Sequence, residues 1–173
     1  QGTLAEVAIA AGAVAYETGI GWRERCDLSR AMTQLRHPRT PGGMARPVYI
    51  EGLRRSIPKK TVEALATRAS LAALLTCQDP SCCPDGRLAL LNDGRAHALR
   101  SRLRTLEAVA SPAQAAWKWH QVAESAADAV TIAERLNNAA IRIGGLSGID
   151  DAGLKGTLVV ALTQRNWARR RAA

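Results

Sequence analysis

The feature that most constrains this chain is a stripe of small and apolar side chains between residues 119 and 143. Trp119, Val122, Ala126, Ala129, Ala133, Leu136, Ala140 and Ile143 recur in steps of three and four. That spacing puts them on one side of an α-helix and demands a second helix packed lengthwise against it. Ser111-Pro112 predicts the start of this long helix, and "GGLSG" at 144–148 its end. Asp150 or Asp151 then caps a last helix, "AGLKGTLVVALTQRNWARRR". Composition agrees: 47% of residues are hydrophobic but only 3% aromatic, with no Phe. The core must therefore be built from Ala, Leu, Val and Ile, with short distances between helices. A length of 173 residues suits one domain with a sizeable core.

Ahead of that hairpin the pattern is mixed. "TLAEVAIAA" at 3–11 predicts a short helix, with Thr3 as its cap, Glu6 three places on, and Gly12 as its end. "AVAYETGIG" at 13–21 reads as a buried strand entering a glycine loop at Gly19 and Gly21. "DLSRAMTQLRH" reads as a helix, and a loop punctuated by Pro38, Pro41, Gly42, Gly43 and Pro47 follows. "VYIEG" reads as the last strand. From Pro58, "PKKTVEALATRASLAALLT" reads as one helix with Val62, Leu65, Ala69, Ala72 and Ala73 on one side. "GRAHALRSRLRTLEAVA" reads as another, with Leu99, Leu103, Leu106 and Ala110 along its stripe and Arg95 and Arg102 opposite. The expected fold is mainly α with a small α/β N-terminal part. Residues 1–57 form a partial α/β unit, and 58–173 a helical, zinc-bearing region with a Cys-rich loop and basic helices.

The Cys-rich loop is "TCQDPSCCPDG". Cys77, Cys82 and Cys83 precede a helix bearing His97, in the pattern C-x4-C-C-x13-H. A structural zinc site takes four tetrahedral N or S ligands, and three thiols in a loop between two helices plus a helix histidine can supply them. Cys77, Cys82, Cys83 and His97 are thus the expected metal ligands. Buried thiols and a strained or regulatory disulfide stay open, as does replacement of one ligand by Cys26, which would tie the α/β part to the helices. No apolar run approaches the roughly 20 residues that span a bilayer. The opening segment carries Glu6 and no basic n-region, unlike a signal peptide. Reduced thiols and a cytoplasmic location are the expectation. The first residue is Gln1 rather than Met, as in a piece of a longer protein.

Twenty-four Lys and Arg against fifteen Asp and Glu give a net charge of +9, and the cations are Arg except at Lys59, Lys60, Lys118 and Lys155. The planar guanidinium suits phosphate, so a polyanionic partner is one reading. Base composition alone, which also enriches Ala, Gly and Pro, is the other. Three basic clusters stand apart in sequence: Arg95, Arg100, Arg102 and Arg104; Arg165, Arg169, Arg170 and Arg171 around Trp167; and Arg54, Arg55, Lys59 and Lys60. A tryptophan among arginines can stack on a base. Solvated helix faces, and cations complementing a helix C-terminus, are the competing account. His120, in "WKWHQ", reads as a partly buried helix histidine, with a nucleic-acid contact as the alternative. His37 reads as exposed.

"YETGIGWRERCD" holds the one constellation with a catalytic look. Glu17 ends the predicted strand, Gly19 and Gly21 allow close approach to a ligand, and Asp27 follows. Neither G-x-G-x-x-G nor G-x4-G-K-[ST] occurs, so no dinucleotide fingerprint or P-loop is present. A tight β–α turn explains the same residues.

The helix–strand start "LAEVAIAAGAVAYETGIG", the loop "CQDPSCCPDG" and the segment "GRAHALRSRLRTLEAV" together resemble the C-terminal part of tRNA-guanine transglycosylase-like proteins. Those proteins are (β/α)8 barrels with a zinc site of three Cys and one His near the C-terminus, followed by helices that help hold tRNA. The resemblance covers about half the chain. It implies that Cys77, Cys82, Cys83 and His97 hold a structural zinc ion and that the Arg-rich helix is the nucleic-acid face. It also implies a partner of RNA, tRNA in particular, and a partner chain or a preceding domain. The spacing C-x4-C-C departs from the family's C-x-C-x2-C. The strands are too few to close a barrel, so no base-binding pocket or nucleophilic aspartate is assigned. A non-enzymatic basic helical module that binds DNA or a protein is the alternative.

Overall fold

The structure is a computed structural model that describes residues 3–14, 47–92, 94–146 and 148–172. The strand and glycine loop expected at 13–21, with Glu17, Asp27 and Cys26 beyond, lie outside these residues apart from Ala13 and Val14. So does the helix expected at 27–37. Within the described residues the chain is mainly helical with one small sheet. Helix α1 spans Leu4–Ala10. Strands β1 (Val48–Ile50) and β2 (Arg55–Ile57) pair antiparallel, with Tyr49 opposite Ser56. Then come α2 (Lys59–Leu65), α3 (Ala69–Leu75), α4 (Arg87–Asn92), α5 (Gly94–Ala110), α6 (Ala115–Ile143) and α7 (Ala152–Ala172).

Helix α6 organises the rest. It buries Trp119, Val122, Ala126, Ala129, Ala133, Leu136 and Ala140, as the stripe demands; Ile143 alone reaches solvent. Its C-terminal half joins a core of Val48, Ile50, Leu53, Ile57, Val62, Leu65, Leu71 and Leu75. Its N-terminal half joins a second core, with Ile9 from α1, Val109 from α5 and Ala161 from α7. The α6–α7 hairpin is closed by Asn137, whose side chain donates to the Ile149 carbonyl and accepts from the Ile149 N–H. Gly144 and Gly145 turn the chain there with φ of +76° and +68°, a left-handed region that glycine enters without steric cost. Asp150 Oδ1 accepts from the Ala152 N–H at the start of α7, the expected cap.

Four expectations need correction. The helix expected from Pro58 is two helices, broken at Ala66-Thr67-Arg68, where Arg68 is extended at φ −98°, ψ 120°. The break re-phases the chain, so Leu71 and Leu75 face the core while Ala69 and Ala73 face solvent. "VYIEG" is not the last strand. Residues 51–53 form a 3-10 turn, and Arg54, left-handed at φ 51°, returns the chain as β2. The third correction is the face of α5. His97, Ala98, Ser101, Arg102, Thr105 and Val109 point inward, while Leu99 and Leu103 are 54% and 56% exposed. This inward face is held by polar partners on other elements, which outweigh the burial of two leucines. Thr3 also differs: its hydroxyl bonds Thr157 Oγ1 on α7 at 2.6 Å instead of capping α1.

Candidate metal centre

The loop between α3 and α4 is shaped by Asp79. Its Oδ1 accepts from the Ser81 N–H at 2.8 Å, the Ser81 hydroxyl at 2.6 Å and the Cys82 N–H at 3.3 Å. This is the side-chain turn that Asp favours before Pro and Ser. The Asp79 carbonyl accepts from the Cys83 N–H at 2.9 Å, and the Gly86 N–H bonds the Cys83 carbonyl. The two adjacent thiols are thereby turned to one side of a closed loop. The Ser81 hydroxyl foremost, with the Arg104 guanidinium also nearby, holds the Asp79 carboxyl below its usual range.

Cys77 leaves the end of α3, and His97 comes from the first turn of α5. The Nδ1 of His97 lies 3.5 Å from Cys82 Sγ and 3.4 Å from Cys83 Sγ, and those two sulfurs are 3.9 Å apart. That separation is far beyond a disulfide bond of about 2.05 Å. With Cys77 Sγ included, the four ligand atoms lie within 4.8 Å of one another, and all four residues are buried. Burial foremost, then the neighbouring Cys77, pushes Cys83 up to about 12, and Cys82 is raised for the same reasons. Burial lowers His97, against the opposing pull of Glu51, and favours the neutral imidazole that binds metals. The arrangement can hold a metal ion.

A ring of ion pairs fastens the centre. Arg104 on α5 reaches Glu51 Oε2 at 3.0 Å and bonds Asp79 Oδ2, while Glu51 Oε2 lies 4.0 Å from Cys77 Sγ. Arg100 donates to the Cys82 carbonyl at 3.2 Å. Sequence reasoning missed Glu51 and Asp79, although the Asp-Pro-Ser spacing signals the turn. It placed Arg100 and Arg104 on a nucleic-acid face, whereas the structure turns both onto the cysteine loop.

Arg102 is the clearest correction. It is buried and its NH1 lies 2.6 Å from Glu6 Oε1, so it stands on no surface. In the third cluster, Arg54 donates to Ser125 Oγ at 2.8 Å and to Thr105 Oγ1, and Arg55 to the Asp150 carbonyl. Arg95 is exposed at the start of α5, and Arg169 and Arg170 are exposed near the end of α7. Arg165 is half-buried, with NH1 3.4 Å from His120 Nδ1. Trp167 is exposed beneath the Arg171 guanidinium, 4.4 Å from its ring centroid. Trp117 is exposed too, edge-on to the His120 ring. His120 is half-buried, as expected. No described helix is long and apolar enough to cross a membrane. Comparison of the chain with protein-family models, curated proteins and solved structures finds no match.

Proposed function

We propose that Cys77, Cys82, Cys83 and His97 hold one structural zinc ion. On this reading the chain is a zinc-stabilised, RNA-binding portion of a transglycosylase-like base-exchange enzyme. The observation that carries the metal reading is the spacing of the donors. Ordinary Zn–S and Zn–N bonds at tetrahedral angles give edges of about 3.8 Å between sulfurs and about 3.6 Å from sulfur to nitrogen. The 3.9, 3.5 and 3.4 Å separations here match both. Three thiols and an imidazole leave no open position, so the ion has a structural role rather than a catalytic one. It would pin the cysteine loop to the start of α5.

The RNA reading rests on the net charge of +9 and on the exposed Arg and Trp side chains at the end of α7. The resemblance to transglycosylases supports tRNA as the ligand; Glu17 and Asp27, the catalytic candidates of the glycine-loop segment, lie outside the described residues. Elemental analysis of protein purified without chelator tests the metal, with about one zinc per chain expected and loss of it in Cys83→Ser. Metal-free, stably folded protein would overturn it. Comparing tRNA with duplex DNA over a salt series tests the ligand. Tighter, steeply salt-dependent tRNA binding is expected. A preference for duplex DNA would favour the non-enzymatic module.

A further inference from the structure

We propose that the end of the α6–α7 hairpin is a platform for an unpaired polynucleotide strand. Trp117 and Trp167 are its stacking faces, and Arg165, Arg169, Arg170 and Arg171 grip the phosphates. The inference rests on the nucleic-acid reading above and says which kind of strand, and where.

The first observation is placement. His120 meets Arg165, Glu134 meets Lys155, and Asn137 meets Ile149, so α6 and α7 run antiparallel in a register that holds to within about one turn. That register sets Trp117 level with residue 168 and within about one turn of Trp167 along the hairpin axis. Both rings belong to the same end of the molecule.

The second is exposure. In a chain with four Trp and no Phe, Trp117 and Trp167 are 55% and 56% exposed, while Trp119 is buried. Each exposed ring is held in place. Trp117 stands edge-on to His120 with centroids 5.5 Å apart, and Trp167 carries the Arg171 guanidinium on one face. A ring fixed in this way loses little rotamer freedom when a base stacks on it.

The third is charge. Arg169, Arg170 and Arg171 fill the last turn of α7, Lys118 stands beside Trp117, and Glu124, 3.8 Å from His120, is the acid in contact with the patch. Arg100, Arg102 and Arg104, by contrast, are turned to internal partners. A duplex keeps its base faces stacked internally and offers none to two separate rings, whereas an unpaired strand offers one to each. An anionic membrane surface would want a continuous apolar band, and here Trp167 is flanked in sequence by Arg165 and Arg169, with Val159 and Val160 at least seven positions back.

The test uses the full metal-loaded chain and fluorescein-labelled oligouridylate of about 12 nucleotides, within the usual range of strand site sizes. Oligothymidylate, a duplex RNA of equal length and phosphatidylglycerol vesicles form the other arms. Anisotropy should show the single strand bound more tightly than the duplex. Trp117→Leu and Trp167→Leu, which keep apolar bulk but remove the ring, should each weaken it about 5- to 100-fold. Arg142→Ala, at the far end of the hairpin, should leave affinity unchanged, and circular dichroism checks that each variant folds. Unchanged affinity in both Trp variants overturns the platform while the nucleic-acid reading stands. If no polynucleotide binds, that reading fails and the platform with it. Vesicle binding without strand binding reassigns the patch to a membrane surface. Tighter binding of oligothymidylate keeps the platform and overturns RNA as its ligand.

Discussion

Arg95 and Arg102 lie on one face of α5, two turns apart, and have opposite roles. Arg95 is exposed, while Arg102 reaches Glu6 across 96 positions of sequence inside the protein. Nothing local distinguishes them, which is why sequence reasoning placed both on a nucleic-acid face. The partner decides. Arg102→Ala would leave the Glu6 carboxylate buried alone and should cost about 3–5 kcal/mol in urea unfolding. Arg95→Ala should stay within about 0.5 kcal/mol. A double change of Glu6→Leu with Arg102→Met should recover most of the loss, because it removes both charges together. At the metal centre, Cys82 and Cys83 are raised and therefore protonated near neutral pH, while His97 is lowered and neutral. Binding a divalent ion as thiolates must expel at least those two protons. Affinity should then rise about 100-fold per pH unit near pH 7, and calorimetry in buffers of different ionisation heat should count two or more protons released. The sign reverses for the metal-free chain. A thiol raised in the fold lends stability below its unfolded value of about 8.5. That stability is lost as pH climbs towards about 12 for Cys83, so the urea midpoint of the apo protein should fall between pH 7 and 10.

Elements were legible to the degree that burial alone fixes them. Helix α6 could be read almost residue by residue because its stripe is apolar and its partner is the next helix. The start and end of α5 were readable, but not its inward face. That face carries Ser101 together with His97, Arg102 and Thr105, and the partners of these last three come from the cysteine loop, α1 and Arg54. Hydrophobic periodicity sees none of those partnerships and chose Leu99 and Leu103 instead. Strand β2 was hidden for a related reason. Its turn ends on Arg54 in a left-handed conformation where Gly or Asn would have signalled a hairpin. The metal centre was readable because thiols and imidazole at loop-to-helix spacing have few other uses, whereas Glu51 and Asp79 look like any surface acids. The α6 stripe also yields a prediction. Ala129 and Ala133 are fully buried against the core below, leaving no room for larger side chains. Ala133→Leu should destabilise by about 1–3 kcal/mol through overpacking, read as a lower melting temperature with helical content retained.

Among the described residues, α6 belongs to both cores, whereas the cysteine loop joins only one. That asymmetry predicts how far the effect of removing the metal travels. The loop is held by the Asp79 turn, by Arg100 and Arg104, and by the proposed ion; it contributes three thiols and little other apolar surface to its core. Without the ion, the thiols and the imidazole keep only weak sulfur contacts, and the remaining bonds sit near solvent. Helix α6 keeps its contacts with α7 and with the β hairpin whether or not the loop is closed. Opening should therefore remain local, as expected where few buried contacts cross between units. Chelation followed by hydrogen exchange should accelerate amides of residues 76–92 and the first turns of α5 by about tenfold or more, and those of α6 and α7 by less than about twofold. Uniform acceleration would mean that the ion holds the whole fold, and unchanged exchange would remove its structural role. The Trp117 end of the hairpin lies about 18 Å from His97, measured along α5 to Val109, which packs with Trp119. Strand binding at that end should then survive chelation with less than about threefold loss, because the local opening stops short of it. A larger loss, with α6 and α7 exchange unchanged, would show that the loop itself touches the strand.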